Sequence, residues 1–401
     1  MSESKRVASL DGAPRRALSL AAVRWLALDW HVLAVAGLLL GIGLSFLDAM
    51  RDADDLFGRG GINFAGHVQK LVLTLPFFVL ALSVRPRWLR RNAYLVYGAT
   101  LVLLLLVPVL GESRNGARRW IPLFGAFDLQ PSELAKLGVI LALSRALYRN
   151  RLQRPRDFWP PLLVALVPMG LVALQPDLGT SLTIVPITLG LLYLAGARAA
   201  VPVRFLLGAA IVGFLVWKFR FGVHDYQMQR IDTWLAGFRA QDLIDARSGP
   251  AFHSYHARVA VGNGGLFGTG LGQGIANQGG YLPERDCDSI FAVVAEEAGW
   301  LGSAVVLALY ALLIALLMGS ASGVRDRFSR LVVGGIALYF SAHLFIHVGV
   351  NLGLIPMTGL TLPLFSTGGS SLLVTFLALG LALGLASHHE PSLDKDSFRE
   401  Y

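Results

Sequence analysis

Acidic residues close the longest polar segment of the chain, in the run Asp286-Cys287-Asp288 that directly precedes an apolar stretch. The stretch that begins at Ile290 is long and apolar enough to cross a membrane, so we expect Asp288 at the boundary between membrane and water. A carboxylate held there is partly desolvated, which raises its pKa towards that of a useful general base. The alternative for Asp288 is a solvated loop acid or a helix N-cap.

A second group of charges lies between Arg118 and Lys136. The planar guanidinium forks of Arg118 and Arg119 suit the recognition of diphosphates. Glu133 and Lys136 are three residues apart, hence on one face of a helix, where they can pair. Such a pair at the entry of a membrane helix is costly and points to function, whereas the alternative is a structural ion pair. We expect Ser132 to cap this helix.

Two glycine-containing runs suggest irregular backbone. In Gly359–Ser371, Pro363 and paired glycines are tolerated at membrane depth only where protein or a watery cavity covers them. The hydroxyls of Ser366 and Ser370 could bind a polar ligand, although a tight re-entrant turn explains the run equally well. The glycine-rich run Gly262–Gly274 has no GxGxxG or P-loop pattern, so it predicts close approach of backbone to a ligand or a helix.

Other residues with reactive or ligating side chains have simpler interpretations. His343 and His347 have the spacing of a metal-binding pair, but without acidic or cysteine neighbours they favour hydrogen bonding within a helix bundle. At least one of Glu296 and Glu297 is expected to pair inside the bundle. Cys287 is the only cysteine, which excludes an intramolecular disulfide and a cysteine metal cluster. The residue types predict no metal site.

Apolar runs along the whole chain must position these residues. Hydrophobic residues make up 54% of the sequence and charged residues only 15%, which is too apolar for an ordinary soluble enzyme. Runs near the ~20 residues that span a bilayer recur about ten times, and nine or eleven spans stay open because one run is short. We therefore predict an all-α integral membrane protein. The predicted spans are Val32–Leu47, Val68–Val84, Ala93–Leu110, Leu134–Leu147, Phe158–Leu174, Leu178–Leu194, Val203–Trp217, Ile290–Leu317, Leu331–Val350 and Leu372–Ala386.

The basic residues follow the topology of these spans. The net charge is +9, and arginines cluster in alternate loops, which is the positive-inside pattern. This pattern places residues 1–30 and 388–401 in the cytoplasm as tails, and residues 218–289 outside it as one large loop between helices 7 and 8. The charge therefore indicates contact with anionic lipids and argues against a nucleic-acid partner. Within the loop, Tyr226–Phe238 has the spacing of an interfacial helix.

Five motifs, in the same order, resemble those of the SEDS family (shape, elongation, division and sporulation), which includes RodA and FtsW. The motifs are Gly116–Ile121, Gln130–Lys136, Gln175–Thr180, Leu282–Arg285 with Ile290–Val293, and Leu354–Ser371. The resemblance implies a ten-helix domain over residues 31–387 in the bacterial cytoplasmic membrane. It also implies a peptidoglycan glycosyltransferase that polymerises lipid II beside a class B penicillin-binding protein. The runs His224–Gln227 and Leu282–Arg285 favour the RodA branch, for cell elongation and shape, whereas part of the last motif is shared with FtsW.

The resemblance gives Asp288 the role of the family's essential loop aspartate. The family pattern His-Thr-Asp is Asp286-Cys287-Asp288 here, so the aspartate is in register but its neighbours differ. Asp288 would deprotonate a sugar hydroxyl that attacks an anomeric carbon with inversion, releasing undecaprenyl diphosphate. Positive charge for that leaving group would come from Arg118, Arg119, Arg258 or a divalent cation such as Mg²⁺ or Mn²⁺. No other cofactor is implied.

Three further roles remain open at this point. A flippase for lipid II would use Glu296, Glu297 and Lys136 to line a passage for the headgroup. A scaffold that only activates a penicillin-binding protein would not need Asp288. A polymerase of the division branch, similar to FtsW, would share the chemistry but not the cellular role.

Overall fold

The computed structural model describes residues 28–56, 63–114, 117–124, 127–150, 152–175, 177–219, 225–236, 251–282 and 284–388. The predicted tails therefore lie almost entirely outside the described residues. The helices are α1 (Trp30–Leu56), α2 (Phe64–Leu82), α3 (Pro86–Leu110), α4 (Pro131–Leu147), α5 (Trp159–Leu174), α6 (Leu178–Leu194), α7 (Ala200–Phe219), α8 (Asp225–Ala236), α9 (Phe252–Asn263), α10 (Ile275–Gly279), α11 (Ile290–Gly323), α12 (Arg327–Asn351) and α13 (Gly369–Ser387). The strands are β1 (Glu112–Arg114), β2 (Ala117–Phe124) and β3 (Phe127–Leu129), and a 3₁₀ turn covers Pro155–Phe158.

The membrane-spanning architecture follows the hydropathy. Within the described residues, seven helices are long and apolar enough to cross a membrane, and α6 and α7 contain shorter apolar stretches. Each of the ten predicted spans falls on a helix of its own, from α1 to α7 and from α11 to α13. The prediction of an integral membrane protein built from helices is therefore confirmed.

The centre of the bundle is formed by α4, α12 and α13. Most side chains of these three helices are buried on all sides, whereas α2, α3 and α5 expose large apolar residues such as Leu95 and Leu163. A helix that is buried all round belongs to a bundle interior, and exposed apolar faces suit lipid. Helix α4, which covers the shortest of the ten predicted spans, therefore lies in the interior of the bundle. It carries the buried pair Glu133 and Lys136 there.

A small antiparallel sheet, which the sequence did not predict, lies between α3 and α4. Strand β2 pairs with β1 on one side and with β3 on the other. The sheet is followed directly by α4, which begins at Pro131 with Gln130 as N-cap. The expectation that Ser132 caps this helix is wrong, because proline at the first helical position starts the helix earlier. The Ser132 hydroxyl donates instead to Asp177 Oδ2, at 3.1 Å.

The glycine-rich run packs against the first turns of α11. A Cβ atom on Gly264 would lie 1.8 Å from the carbonyl oxygen of Ala295, so only glycine fits. The helix is interrupted at Gly299, whose φ of +68° is a backbone conformation that glycine adopts without steric cost. Glu296 accepts a hydrogen bond from Ala276 N, and Glu297 accepts one from Gly272 N. The close approach predicted for these glycines is therefore made to a helix.

Candidate active site

A cavity of about 260 Å³ contains Asp288 in its wall and is named the Asp288 cavity below. It lies between α2, the small sheet, α4, α8, the loop before α11 and the loop between α12 and α13. Its charged lining residues are the acids Asp128, Glu133, Glu284 and Asp288 and the cations Lys70, Arg119 and Arg230. The cavity therefore combines a proton acceptor with positive charge, which is the pairing needed to move a proton and stabilise an anion.

The backbone around Asp288 is fixed by a tight turn before α11. The amides of Cys287 and Asp288 donate to the carbonyl of Glu284, at 3.0 and 2.9 Å, and Glu284 has a φ of +48°. From α12, Asn351 Nδ2 donates to the carbonyl of Asp288 at 3.1 Å. Arg285 pairs with Asp54 near the end of α1 and donates to Asn277 O, so the turn is anchored from three sides.

The Asp288 carboxyl is poised to accept a proton. Its pKa is raised from 3.8 to about 7, mainly by desolvation by the surrounding protein and next by the negative charge of Glu284. Arg230 and Arg119 oppose this shift and lower the pKa of Asp288. None of the described residues donates a hydrogen bond to its carboxylate oxygens, so nothing there competes with a substrate hydroxyl.

The two serines predicted to bind a ligand differ in position. Ser366 is buried, donates to Cys287 O at 2.7 Å and accepts from Leu362 N at 2.8 Å, so it anchors the loop before α13 and does not line the cavity. Ser370 does line the cavity, and its hydroxyl accepts from Gln130 N at 2.7 Å. Cys287 donates through Sγ to the carbonyl of Thr367 at 2.7 Å, and burial raises the pKa of its thiol.

The three arginines proposed for diphosphate binding are not brought together. Arg119 lines the Asp288 cavity, held by a bond from Nε to Gln175 O of 3.2 Å and by Asp177 at 4.0 Å. Arg118 is exposed, reaches the carbonyl of Pro108 at 3.4 Å and lies outside the cavity lining. Arg258 lines a separate cavity on the far side of Arg230.

Glu133 and Lys136 form an ion pair behind the cavity. Lys136 Nζ lies 2.7 Å from Glu133 Oε1 and 2.8 Å from His343 Nε2, and Lys136 is fully buried while Glu133 reaches the cavity wall. Because an ammonium only donates, His343 accepts at Nε2 and donates from Nδ1 to the carbonyl of Thr361 at 3.0 Å. His347 likewise bonds to Leu360 O, at 2.8 Å, which confirms hydrogen bonding within the bundle for the two histidines.

Sequence reasoning missed four charged residues of the cavity. Lys70 comes from α2, Asp128 from β3, Arg230 from α8, and Glu284 from the turn that carries Asp288. Glu284 belongs to the motif Leu282–Arg285, so its closeness to Asp288 in the sequence was an indication that it could reach the same cavity. Lys70 and Arg230 lie far from that motif in the chain, and only the packing of α2 and α8 brings them to the same cavity.

The loop beside Asp288 has ligand atoms that suit a hard divalent cation. The carboxylates of Glu284 and Asp286 and the Cys287 sulfur lie within 4.8 Å of one another. Oxygen ligands are those preferred by Mg²⁺ and Mn²⁺, so the two carboxylates fit such an ion. The Cys287 thiol, which donates to Thr367, does not suit it.

Comparison with known proteins places this arrangement in a family. The FtsW/RodA/SpoVE family model, described as "Cell cycle protein", matches residues 26–391. The chain is 36% identical to the peptidoglycan glycosyltransferase MrdB of Escherichia coli K12, over 80% of this chain and 85% of that protein. It is 35% identical to the probable peptidoglycan glycosyltransferase FtsW of Coxiella burnetii, over 92% of this chain and 98% of that protein.

Solved structures give the same result for the fold. A chain of a peptidoglycan synthase complex that coordinates polymerization and crosslinking superimposes with a TM-score of 0.73 and 31% identity, over 94% of this chain and 100% of that chain. The rod shape determining protein RodA of Thermus thermophilus superimposes with a TM-score of 0.67 and 30% identity, over 91% of this chain and 99% of that chain. The protein therefore belongs to the FtsW/RodA/SpoVE family, which is the SEDS family.

Proposed function

We propose that this protein is a peptidoglycan glycosyltransferase that polymerises lipid II, with Asp288 as its general base. The observation that carries the proposal is a half-buried carboxyl with a pKa of about 7, placed in a cavity that also holds three cations. Such a carboxyl is about half ionised at neutral pH and is basic enough to take a proton from a hydroxyl. The sequence identity to the curated glycosyltransferases, over most of both chains, supports the same activity.

The reaction follows from these residues. Asp288 takes the proton of the 4-hydroxyl of one lipid II sugar while the oxygen attacks the anomeric carbon of the growing glycan. The bond from that carbon to the prenyl diphosphate breaks, the electron pair leaves with the diphosphate, and the configuration inverts. Arg119 and Arg230 supply positive charge close to the site, where desolvation strengthens electrostatic stabilisation.

Supporting residues hold this geometry. Glu133 and Lys136 fix the start of α4 beneath the cavity, and Ser370 fixes the end of the small sheet to α13. A bound Mg²⁺ or Mn²⁺ would be held by Glu284 and Asp286 and would add positive charge for the diphosphates.

The cellular setting is part of the same proposal. The protein lies in the bacterial cytoplasmic membrane with both termini inside and works beside a class B penicillin-binding protein, which crosslinks the strands that it makes. Similarity to a chain of a complex that couples polymerization to crosslinking supports such a partner. We place the chain in the elongation branch on its RodA-like motifs, with FtsW-like division as the alternative.

The flippase alternative receives less support from the side chains. Glu296 and Glu297 accept hydrogen bonds from the glycine-rich run and from α10, and neither lines the Asp288 cavity. Lys136 is fully buried between Glu133 and His343. Within the described residues, these charges therefore serve the packing of the bundle and lie outside the lining of the Asp288 cavity.

Purified protein with a class B penicillin-binding protein tests the proposal. We expect Asp288→Asn to reduce the polymer made from lipid II by about 100- to 10,000-fold, the usual contribution of a general base. The matched control is Glu112→Gln, which removes an exposed carboxylate on β1 and should polymerise normally. Lipid II translocation in proteoliposomes, measured in parallel, separates the two roles. Undiminished polymer from Asp288→Asn would contradict the assignment.

A further inference from the structure

Two histidines, one turn apart on α12, hold the loop between α12 and α13. His343 donates from Nδ1 to the carbonyl of Thr361 at 3.0 Å, and His347 donates from Nδ1 to the carbonyl of Leu360 at 2.8 Å. The two carbonyls belong to adjacent residues of the loop, and both imidazoles are buried. The loop is therefore tied to α12 by two successive hydrogen bonds in the interior of the bundle.

The same loop forms the wall of the Asp288 cavity beside the carboxyl. Gly359 and Thr361 line the cavity, and a Cβ atom on Gly359 would lie 3.5 Å from Asp288 Oδ2. Thr361 Oγ1 donates to Ser371 Oγ at 2.7 Å, and Ser371, in the first turn of α13, also lines the cavity. The position of this wall relative to Asp288 therefore depends on the hydrogen bonds that hold the loop.

His343 makes a second contact, which joins the loop to α4. Its Nε2 accepts from Lys136 Nζ at 2.8 Å, and Lys136 pairs with Glu133, which lines the cavity. The Tyr339 ring packs on the His343 ring, with 4.5 Å between centroids, and its centroid lies 5.5 Å from Lys136 Nζ. Among the described residues, no polar atom meets Nε2 of His347. In this part of the chain, His343 thus links two parts of the cavity wall, whereas His347 links the loop to α12.

This link passes through both nitrogens of one neutral imidazole. Lys136 is fully buried, so loss of the His343 acceptor would leave part of its ammonium without a partner, at a cost in free energy. Closely packed interiors transmit displacements, so a shift of α4 or of the loop is passed to the other through His343. We infer that His343 is a positioning residue for glycosyl transfer, which ties the ion pair of α4 to the loop and so holds the wall of the Asp288 cavity in place. This inference rests on the proposed function.

The influence of His343 on Asp288 acts through packing and not through charge. The charged groups that act on the pKa of Asp288 are Glu284, Asp286, Arg119 and Arg230, and the cavity is also lined by Lys70, Asp128 and Glu133. A substitution at His343 leaves all of these side chains in the protein. It loosens the wall and admits water to a carboxyl whose pKa is raised mainly by desolvation, so the pKa of Asp288 should fall.

Polymerisation of lipid II by His343 variants of the full chain, with a class B penicillin-binding protein, tests this inference. His343→Phe removes both hydrogen bonds, and we expect kcat to fall about 10- to 100-fold with little change in KM, because the base and the hydroxyl lose their alignment. The midpoint of the pH–rate profile should move to lower pH. His343→Gln keeps an acceptor near the position of Nε2 and His343→Asn keeps a donor near that of Nδ1, so each should lose less activity. His347→Phe is the matched substitution. It leaves the contacts of His343 in place and should lower kcat less than His343→Phe.

Thermal unfolding first shows which variants are folded, and His343→Gln and His343→Asn decide where His343→Phe is not. A wild-type kcat and pH midpoint in folded His343 variants would overturn the inference, even if their unfolding temperature is lower, since the role is then structural only. An equal loss of kcat in His347→Phe would also overturn it, because the contact with the loop would then suffice without the link to Lys136.

Cys287 gives a measurement that does not depend on turnover. It is the only cysteine of the chain, it lines the Asp288 cavity, and its Sγ donates to the carbonyl of Thr367 in the same loop. Its modification by N-ethylmaleimide should therefore be faster in His343→Phe than in the wild type. A wild type that makes no polymer, combined with faster modification in the variant, overturns the proposed function and supports the coupling through His343. Unchanged modification and kcat in the variant, with normal polymer from the wild type, overturn the inference alone.

Discussion

Asp177 and Asp288 occupy similar places in the chain and have opposite surroundings. Each comes just before a helix of the bundle, α6 or α11. The Asp177 carboxylate accepts hydrogen bonds from Thr180 N and Oγ1, at 3.2 and 3.0 Å, from Gln130 Nε2 at 3.0 Å and from Ser132 Oγ at 3.1 Å. No described residue donates to the Asp288 carboxylate, which faces a cavity and has a pKa of about 7.

The difference shows that the surroundings of an aspartate decide whether it has a structural role or a role in proton transfer. The donors that surround Asp177 occupy its carboxylate oxygens, and these hydrogen bonds join α4 to α6. Desolvation without donors leaves Asp288 with a high affinity for a proton. The first arrangement suits structure and the second suits proton transfer, so substitutions at the two positions should have separable effects.

Asp177→Ala should have the largest effect on stability. It leaves the donors of Gln130, Ser132 and Thr180 buried without an acceptor and removes the N-cap of α6. Buried unsatisfied donors cost about 1–3 kcal/mol each, so we expect a loss of about 3 kcal/mol or more in the free energy of unfolding. Thermal unfolding of the purified protein measures it, with Asp288→Asn as the matched substitution that should not destabilise. Equal destabilisation by both would remove the distinction between the two aspartates.

The pH dependence of Asp288 gives the next largest effect. Because only the carboxylate accepts a proton, the polymerisation rate should rise about tenfold per pH unit below 7 and level off above it. Stability should change in the opposite direction. Between pH 3.8 and about 7 the folded chain keeps a proton that the unfolded chain has lost, so the free energy of unfolding falls as pH rises. Rate profiles and unfolding at a series of pH values check both, and Asp288→Asn should abolish this part of the stability slope.

The membrane helices could be predicted because their signal is local. A run of apolar residues long enough for the bilayer is visible in the sequence without knowledge of its neighbours. Asp288 and the pair of Glu133 and Lys136 could be singled out for the same reason, since a charge beside such a run is costly wherever it packs. The small sheet was missed because its strands are three to eight residues long, too short for a clear alternating pattern.

The composition of the cavity could not be predicted from the sequence. Lys70 and Arg230 reach Asp288 only through the packing of α2 and α8. The same packing decides that Arg119 faces the cavity while Arg118 is exposed on the neighbouring position of β2. Ser366 was read as a ligand contact, yet its hydroxyl is used by two backbone groups. A hydroxyl that can bind a ligand can equally well bind backbone, and the choice depends on tertiary contacts.

Removal of single charges near Asp288 should have the smallest effects and gives the finest test of the contrast between the two aspartates. After desolvation, the negative charge of Glu284 is the largest cause that raises the pKa of Asp288. Its removal should therefore move the midpoint of the pH–rate profile to lower pH. Asp286→Asn should move it in the same direction by less, and Arg230→Gln should move it to higher pH, since Arg230 lowers this pKa. The midpoint is independent of the maximal rate, so it reports on Asp288 even in a variant that turns over slowly. A midpoint that does not respond to these three charges would show that the titrating base is a group other than Asp288.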